Sequence, residues 1–469
     1  MLFNSLIFIV FAIIFFSLWP LLNRNKASRW AFIILASLVF YGWWNPYFII
    51  ILAFVCVITY SSAIAIIKYP KKKKIYLGLS ITCVLGSLII FKYFDFLIQN
   101  TNSLLALADL KNLPVIKLAL PIGISFYTFQ SLSYVFDVYK KRLAPAENIL
   151  HYSAYVCMFP QLISGPINRG GQMLPQLAEY NRPTEQQKWE GFKLLVYGYF
   201  KKAVIADNIV QAVGVAFDGP IFYHSLPYWW INVSLFAVQI YCDFSGYTDI
   251  SRGLAKWMGF EYTLNFNHPY MASGIRDFWN RWHISLTTWF RDYIFLGLGG
   301  AFHGVASGLR NLLITFLLCG LWHGASWNFI IWGGLHASYI TIEQLTKWPK
   351  KLRRLPGGKF ITTFLTLFQV LVAWVFFRSQ SLSQAISILG TMLDFSKLSM
   401  VKLYQVSSIT WIFLCLVVVK EIFQYIVHNE EILSRNKLWQ AVEPYWIALL
   451  ISSCIFLRGN GSAFVYFKF

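Results

Sequence analysis

The chain has 469 residues, of which 57% are hydrophobic and only 13% charged. That excludes a soluble domain of this length, which needs more charge to cover its surface. Lys plus Arg total 40 against 20 Asp plus Glu, a formal net charge of +20. The basic residues sit in short loops between apolar runs, so they speak for membrane topology and contact with anionic lipid and against nucleic-acid binding.

The expected class is an all-α polytopic membrane protein, a helical bundle with about ten to twelve spans plus re-entrant and interfacial helices. One integral membrane domain is expected over 1–469: N-terminal spans in 1–138, a motif-bearing core in 139–345 and C-terminal spans in 346–469. The opening MLFNSLIFIVFAIIFFSLWPLL lacks a basic n-region and a small-residue cleavage site, so it reads as a retained first span. The next three spans are expected at 29–45, 48–67 and 76–97. Arg24, Lys26 and Arg29 flank one end of this set, and Lys68 and Lys71 to Lys74 another, whereas the loops near Asn45-Pro46 and Gln99 to Asn102 carry little positive charge. The bias puts the N-terminus outside and the lysine loop in the cytoplasm.

Residues 98–117 are expected to be an outer connection. The apolar run 118–138 contains Pro121, Gly123, Ser125, Gln130 and Ser131, so it should face protein or a cavity and not lipid. His151 to Pro166 is too short and too rich in Pro and Gly for a span; a re-entrant segment or a broken helix is expected. Residues 167–192 are polar and suit a membrane surface, and 191–217 reads as a helix interrupted by Lys201-Lys202. A span with a polar end is expected at 227–246, then a long segment, 247–310, dense in Trp, Arg, Asp and His, of helices in the interface plane. The region 312–345 is either one long helix or two, and further spans are expected at 361–378, 406–426 and 442–457.

The seven cysteines are scattered without a CxxC pair, so neither a zinc site nor a disulfide framework is indicated. There is no P-loop, no HExxH and no GxSxG. Two histidines stand out. His323 lies in Gly320-Leu-Trp-His-Gly324, inside the apolar stretch Leu312 to His336. A helix starting near Asn311 would carry it about 18 Å inward, near the middle of a hydrocarbon core about 30 Å thick. An ionisable group there needs a reason. Either it is a buried neutral histidine bonded to its surroundings, with Gly320 and Gly324 as packing notches, or it is a general base, with Ser326 and Trp327 one turn on lining a cavity. His283 lies in Arg276 to Asp292, RDFWNRWHISLTTWFRD. On a helix Asp277 pairs with Arg281, and Asn280, His283 and Thr287 form a polar stripe; the alternative is an interfacial anchor whose histidine is merely hydrogen-bonded. Asp243 and Asp249, in YCDFSGYTD, suit ion pairs with the arginines that follow better than acid catalysis. The remaining histidines show no usable pattern.

Several long motifs in order resemble the membrane-bound O-acyltransferase (MBOAT) family, closest to its bacterial alginate and peptidoglycan O-acetyltransferase subgroup. They are Tyr241 to Asp249, Asn265-Phe-Asn-His-Pro-Tyr270, Asp277-Phe-Trp-Asn-Arg-Trp-His to Tyr293 and Gly320-Leu-Trp-His-Gly-Ala-Ser-Trp327. Phe159 to Pro166, Phe200 to Asn208, Trp374 to Arg378 and Phe464 to Phe469 also match. The subgroup usually continues Tyr-Ile-Pro-Leu-Gly-Gly-Asn-Arg where this chain has Ile294 to His303, FLGLGGAFH after the isoleucine.

The resemblance implies a tunnel-like cavity and transfer of an acyl group across a membrane. It implies catalytic roles for His323 and His283, with substrate contacts from Asn280, Arg281, Trp282, Ser326, Trp327 and Asp243. It further implies acetyl-CoA or an acyl carrier on the cytoplasmic side as donor, no permanently bound cofactor and no metal. The acceptor would be an envelope polysaccharide, alginate-like or peptidoglycan, reached through an extracytoplasmic SGNH-type acetyltransferase partner. The location would be the bacterial cytoplasmic membrane, multi-pass, with lipids as partners and no nucleic acid. The alternatives are D-alanyl transfer from a carrier protein to teichoic acid, or a non-catalytic transporter or scaffold of polysaccharide export.

Overall fold

A computed structural model describes residues 1–115, 118–219, 225–398, 437–461 and 464, with isolated positions between 411 and 421. Every regular element among the described residues is helical. The chain forms two compact units, Met1–Phe192 with Ser251–Thr263, and Lys193–Ile250 with Leu264–Phe469. Among the described residues, four helices are long and apolar enough to cross a membrane: Phe48–Lys68, Pro70–Leu107, Val305–His323 and Gly358–Arg378.

In the first unit, α1 (Leu6–Leu22) and α2 (Lys26–Gly42) start at Ser5 and Asn25, whose side chains accept from Phe8 N and Ser28 N. α3 (Phe48–Lys68) and α4 (Lys73–Leu107) follow. α4 runs ten residues past the expected span end at 97, so the first half of the connection expected at 98–117 is helix. Its polar residues bond back one turn: Asn100 Nδ2 to Phe96 O, 2.7 Å, Thr101 Oγ1 to Leu97 O, 2.9 Å, and Ser103 Oγ to Gln99 O, 3.0 Å. Such back-bonding lets polar residues sit in a helix where composition suggested a loop.

α5 (Ile124–Tyr139) is buried along nearly its whole length, as its small and polar residues imply. The expected broken helix is present: α6 (Ile149–Cys157) stops at Met158, and the single turn α7 (Phe159–Leu162) follows. The break is paired within the protein. Phe159 N donates to Ser37 Oγ, Gln161 Nε2 to Tyr155 O at 2.6 Å, and Asn168 Nδ2 to Gln161 Oε1 at 2.8 Å. Irregular backbone survives burial only when satisfied in this way. α8 (Gly170–Ala178) ends on Arg29, whose guanidinium donates to Leu177 O at 2.8 Å and Ala178 O at 3.3 Å.

A long helix begins as α9 (Glu185–Tyr199), passes into a π-helical segment at Phe200–Ala206 and continues as α10 (Asp207–Asp218). Lys201-Lys202 therefore does not end the helix; it widens one turn. The second-unit part of α11 (Leu226–Met258) approaches this segment so closely that a Cβ on Gly246 would lie 2.8 Å from Gly198 O. Lys202 Nζ then meets both Asp207 Oδ1 and Asp243 Oδ1 at 2.8 Å, and Lys201 Nζ meets Asp249 Oδ2 at 2.9 Å. Asp243 and Asp249 are thus ion-paired as expected, and among their partners are the two preceding lysines. α11 also continues well beyond 246, so the first part of the expected interfacial segment belongs to a 33-residue helix.

Short helices follow, α12 (Ile275–Arg281) and α13 (Ile284–Trp289), with a π turn at Phe290–Phe295. The 312–345 region is two helices, α14 (Val305–His323) and α15 (Trp327–Thr346). After α16 (Trp348–Leu352) come α17 (Gly358–Arg378), α18 (Leu382–Met392) and α19 (Lys437–Phe456), α17 and α19 covering two expected spans. The span expected at 406–426 and the aromatic C-terminal motif lie largely outside the described residues.

Candidate active site

α14 and α15 fold back on each other over two glycines. A Cβ on Gly320 would strike the Phe329 carbonyl, and one on Gly333 the Phe316 carbonyl. The backbones therefore touch at the turn where α14 ends. His323 is the last residue of α14, 18 residues after Val305, and not the mid-helix residue expected from a start near Asn311. Gly324 takes an extended conformation, Ser326 caps α15 by accepting from Asn328 N, and Asn328 Nδ2 donates to Ser379 O at 2.8 Å. The chain break is thereby pinned to the end of α17, and the His323 ring is delivered into an aromatic core.

That core encloses His323 at 2% exposure. The rings of Trp322, Trp332 and Phe377 lie 4.9, 4.9 and 5.2 Å from its imidazole. Trp322 also lies 6.1 Å from the ring of His283, so one indole contacts both histidines. Phe244 closes on His283 at 4.6 Å and Phe266 at 6.2 Å. Two histidines separated by 40 positions in the chain share one apolar chamber.

His283 does not lie on a continuous helix. α12 ends at Arg281, and His283 adopts φ 44°, ψ 53° as the residue preceding α13. The polar stripe of Asn280, His283 and Thr287 is therefore not formed, although the Asp277–Arg281 pair is, at 2.7 Å. The left-handed conformation turns the imidazole inward, where it is fully buried. His283 Nδ1 lies 3.1 Å from Asn265 Oδ1. The same oxygen accepts the backbone N–H of Ser285 at 3.1 Å and the Ser285 hydroxyl at 2.9 Å. A backbone N–H can only donate, so this Asn265 atom is the amide oxygen. Nδ1 of His283 must then carry the proton, which leaves the Nε2 lone pair as the basic site. Burial outside the apolar spans pushes the His283 pKa down to about 3, so the ring is neutral.

The other candidates fall in different places. Trp282 is buried in the chamber wall, 5.1 Å from Trp374 and 5.0 Å from Phe266. Asn280 is exposed, and Trp327 is 57% exposed, so neither side chain reaches the enclosed histidines. The expectation that Trp327 lines the cavity beside His323 is corrected: the helix restart at Ser326 turns it outward. Arg281 is bound to Asp277, Asp243 to Lys202, and Ser326 serves as a cap.

Two residues at the site, and one that braces α14, carry no local signal in the sequence. Asn265 belongs to a quoted motif, but nothing local signals that it meets a histidine 18 positions on. His336 is buried at 1% and accepts from Trp279 Nε1 at 3.2 Å. Asn311 donates to Leu298 O at 3.1 Å and Gly300 O at 2.8 Å, which ties the glycine-rich loop, with Gly299 and Gly300 at φ 95° and 51°, onto α14.

Residues 36–388 match the MBOAT, membrane-bound O-acyltransferase, family. The chain belongs to this family. It is an integral membrane protein and an O-acyltransferase. It is 35% identical over 404 residues to the probable alginate O-acetylase AlgI of Pseudomonas aeruginosa, covering 84% of this chain and 75% of that one. It is 32% identical over 413 residues to the peptidoglycan O-acetyltransferase of Helicobacter pylori, covering 82% and 77%. It is 30% identical over 262 residues to the teichoic acid D-alanyltransferase of Bacillus subtilis, covering 51% of this chain and 63% of that one. In this MBOAT chain the FWNRWH and GLWHGASW motifs supply the two sides of the histidine chamber.

Proposed function

We propose that this protein transfers acetyl groups for O-acetylation of an envelope polysaccharide, alginate-like or peptidoglycan. The observation that carries the reading is the shared aromatic enclosure in which Trp322 contacts both buried histidines, His283 and His323. Acetyl-CoA or an acyl carrier in the cytoplasm donates the thioester. His323 takes the proton of the accepting hydroxyl as its oxygen attacks the thioester carbonyl. The C–S bond then breaks, and the thiolate leaves with the proton that His323 returns. The position of His323 at the C-terminal end of α14 supports this role, because a helix C-terminus stabilises an imidazolium by about 0.3–1 kcal/mol, and up to about 2 kcal/mol when partly buried. His283, with Nδ1 held by Asn265, presents Nε2 to the donor or acceptor. No step calls for a metal ion. The acceptor is reached through an extracytoplasmic SGNH-type acetyltransferase, and the protein sits as a multi-pass protein in the cytoplasmic membrane.

The longer coverage by O-acetyltransferase relatives supports acetyl over D-alanyl transfer. The test is His323→Ala in cells, with membrane insertion verified and ester-linked acetate and D-alanine measured on envelope glycans. Loss of acetate is expected. Loss of D-alanine in its place would move the reading to teichoic acid, and unchanged esters would leave a scaffold of polysaccharide export.

A further inference from the structure

α12 leads the chain into His283, yet the residue before it, Gly274, has no side chain with which to cap it. The cap comes from another helix. Glu343 on α15 accepts the Ile275 N–H at 2.6 Å and the Arg276 N–H at 3.3 Å, both on Oε2. A carboxylate on the first free N–H groups of a helix is a favourable charge at its positive end. Gly274, at φ 155°, makes room for it, since a Cβ there would lie 3.0 Å from Glu343 Oε2.

Two further bonds tie the same helices. Arg276 Nη2 donates to Gln344 Oε1, and Trp279 Nε1 donates to His336 Nδ1 at 3.2 Å. Trp332, His336 and Glu343 recur at helical spacing, so they share one stripe of α15. α12 lies antiparallel along that stripe: Ile275 meets Glu343, and four residues on Trp279 meets His336 and also Trp332, at 5.7 Å. Trp332 in turn lies 4.9 Å from the ring of His323. One stripe of α15 therefore touches His323 and holds the helix that delivers His283.

α12 is only 7 residues long, too short to hold its own helical form or place, so its ends must be fastened from outside. The C-terminal end is held by the Asn265 to Asn267 segment. Arg281 Nη1 donates to Asn267 O at 3.3 Å, the Asn267 N–H donates to Arg281 O at 2.9 Å, and the Ile284 N–H donates to Asn265 O at 2.9 Å. The N-terminal end hangs on Glu343. Its bonds are charge-assisted, about twice as strong as a neutral bond such as Trp279 to His336.

We propose that Glu343 is a positioning residue for the acyl transfer: by capping α12 from α15 it sets where His283 lies relative to His323, without touching substrate. This rests on the role proposed above for His283. A carboxylate 60 positions beyond that histidine thus belongs to the reaction's machinery through the backbone it holds.

The test compares Glu343→Ala with Glu343→Gln, whose amide oxygen accepts the same two N–H groups, in full-length protein in neutral detergent. Ester formation from an acetyl thioester on a polyhydroxyl acceptor is measured, together with hydrogen exchange by mass spectrometry. Glu343→Ala should lower kcat about tenfold to a hundredfold with KM within about twofold of the parent. Exchange over residues 275–289 should quicken at least about tenfold, while α14 exchanges as in the parent. Glu343→Gln should restore the parent's exchange and bring kcat to within about threefold. The proposal is overturned if Glu343→Ala keeps the parent kcat, if Glu343→Gln loses as much as Glu343→Ala, or if exchange quickens equally in α14, which would make Glu343 a general stabiliser. Exchange needs no acyl donor. A parent that forms no ester would overturn the function proposed above, and the exchange comparison alone would then decide this one: quickening confined to 275–289 supports it, and unchanged exchange overturns it.

Discussion

Two aromatic assemblies in this protein do opposite things with the same kind of side chain. Around His323 and His283 the rings of Trp322, Trp332, Phe377 and Phe244 close on buried imidazoles. In the first unit Trp19, Trp189 and Trp257 border an open cavity edged with guanidiniums. The first arrangement suits transfer of a neutral acyl group, where a proton must be held and returned. In the second the rings stand beside cations, the Arg29 guanidinium lying over the Tyr180 ring. Aromatic density alone therefore says little about function; what the rings enclose decides it.

The comparison breaks most sharply at His323. His323→Ala should cut acyl transfer by about 10²–10⁴-fold while leaving the thermal midpoint of the detergent-solubilised protein near that of the parent. A similar loss of stability would make the ring a packing element and remove the distinction between the two assemblies. Next comes the ion-pair layer behind the chamber. Lys202→Met takes a buried cation away from Asp207 and Asp243 and should destabilise the second unit by about 3–5 kcal/mol, read as a lower midpoint in a thermal-unfolding assay. Adding Asp243→Leu and Asp207→Leu should recover much of that, because the charges left without that cation are the cost.

Gly333→Ala inserts a methyl group against the Phe316 carbonyl and should cost about 1–3 kcal/mol by forcing α14 and α15 apart. Transfer should fall with it, since His323 is delivered by that contact; full activity at reduced stability would show the chamber tolerates repacking. Asn265→Ala sharpens the proton assignment. It should lower kcat about tenfold to a hundredfold with KM little changed, whereas Asn265→Asp, which accepts the same bonds, should retain most activity. Equal losses in both variants would show that Asn265 only packs. The smallest effect belongs to Trp327→Ala, an outward-facing ring, expected to change activity less than about twofold and stability by less than about 0.5 kcal/mol.

Much of this was readable from the chain. The broken helix at His151 to Pro166 followed from proline and glycine in a short apolar run, and the buried α5 from its polar and small residues. His323 was found because an imidazole in an apolar run demands an explanation. Its place on the helix differs from the expectation, because α14 starts at Val305 and not near Asn311. His283 was found, but its conformation was not: FWNRWHISL carries a helical pattern throughout, and the break at Trp282 comes from Asn265 drawing the imidazole and the Ser285 N–H onto one oxygen. That contact is 18 residues long in sequence and leaves no periodic trace. Likewise the pairing of Asp243 and Asp249 with upstream lysines was not legible, because a π turn sets Lys201 and Lys202 side by side against α11, and hydrophobic periodicity does not register one extra residue in a turn.

The most direct test of the account is a single-turnover assay in lipid vesicles. Purified protein is given a radiolabelled acetyl thioester with and without a polyhydroxyl acceptor, and free thiol and acetyl ester are counted for the parent and for His323→Ala. The account predicts thiol release coupled to ester formation in the parent and loss of both in the variant by at least about a hundredfold. Undiminished ester formation by His323→Ala would contradict it.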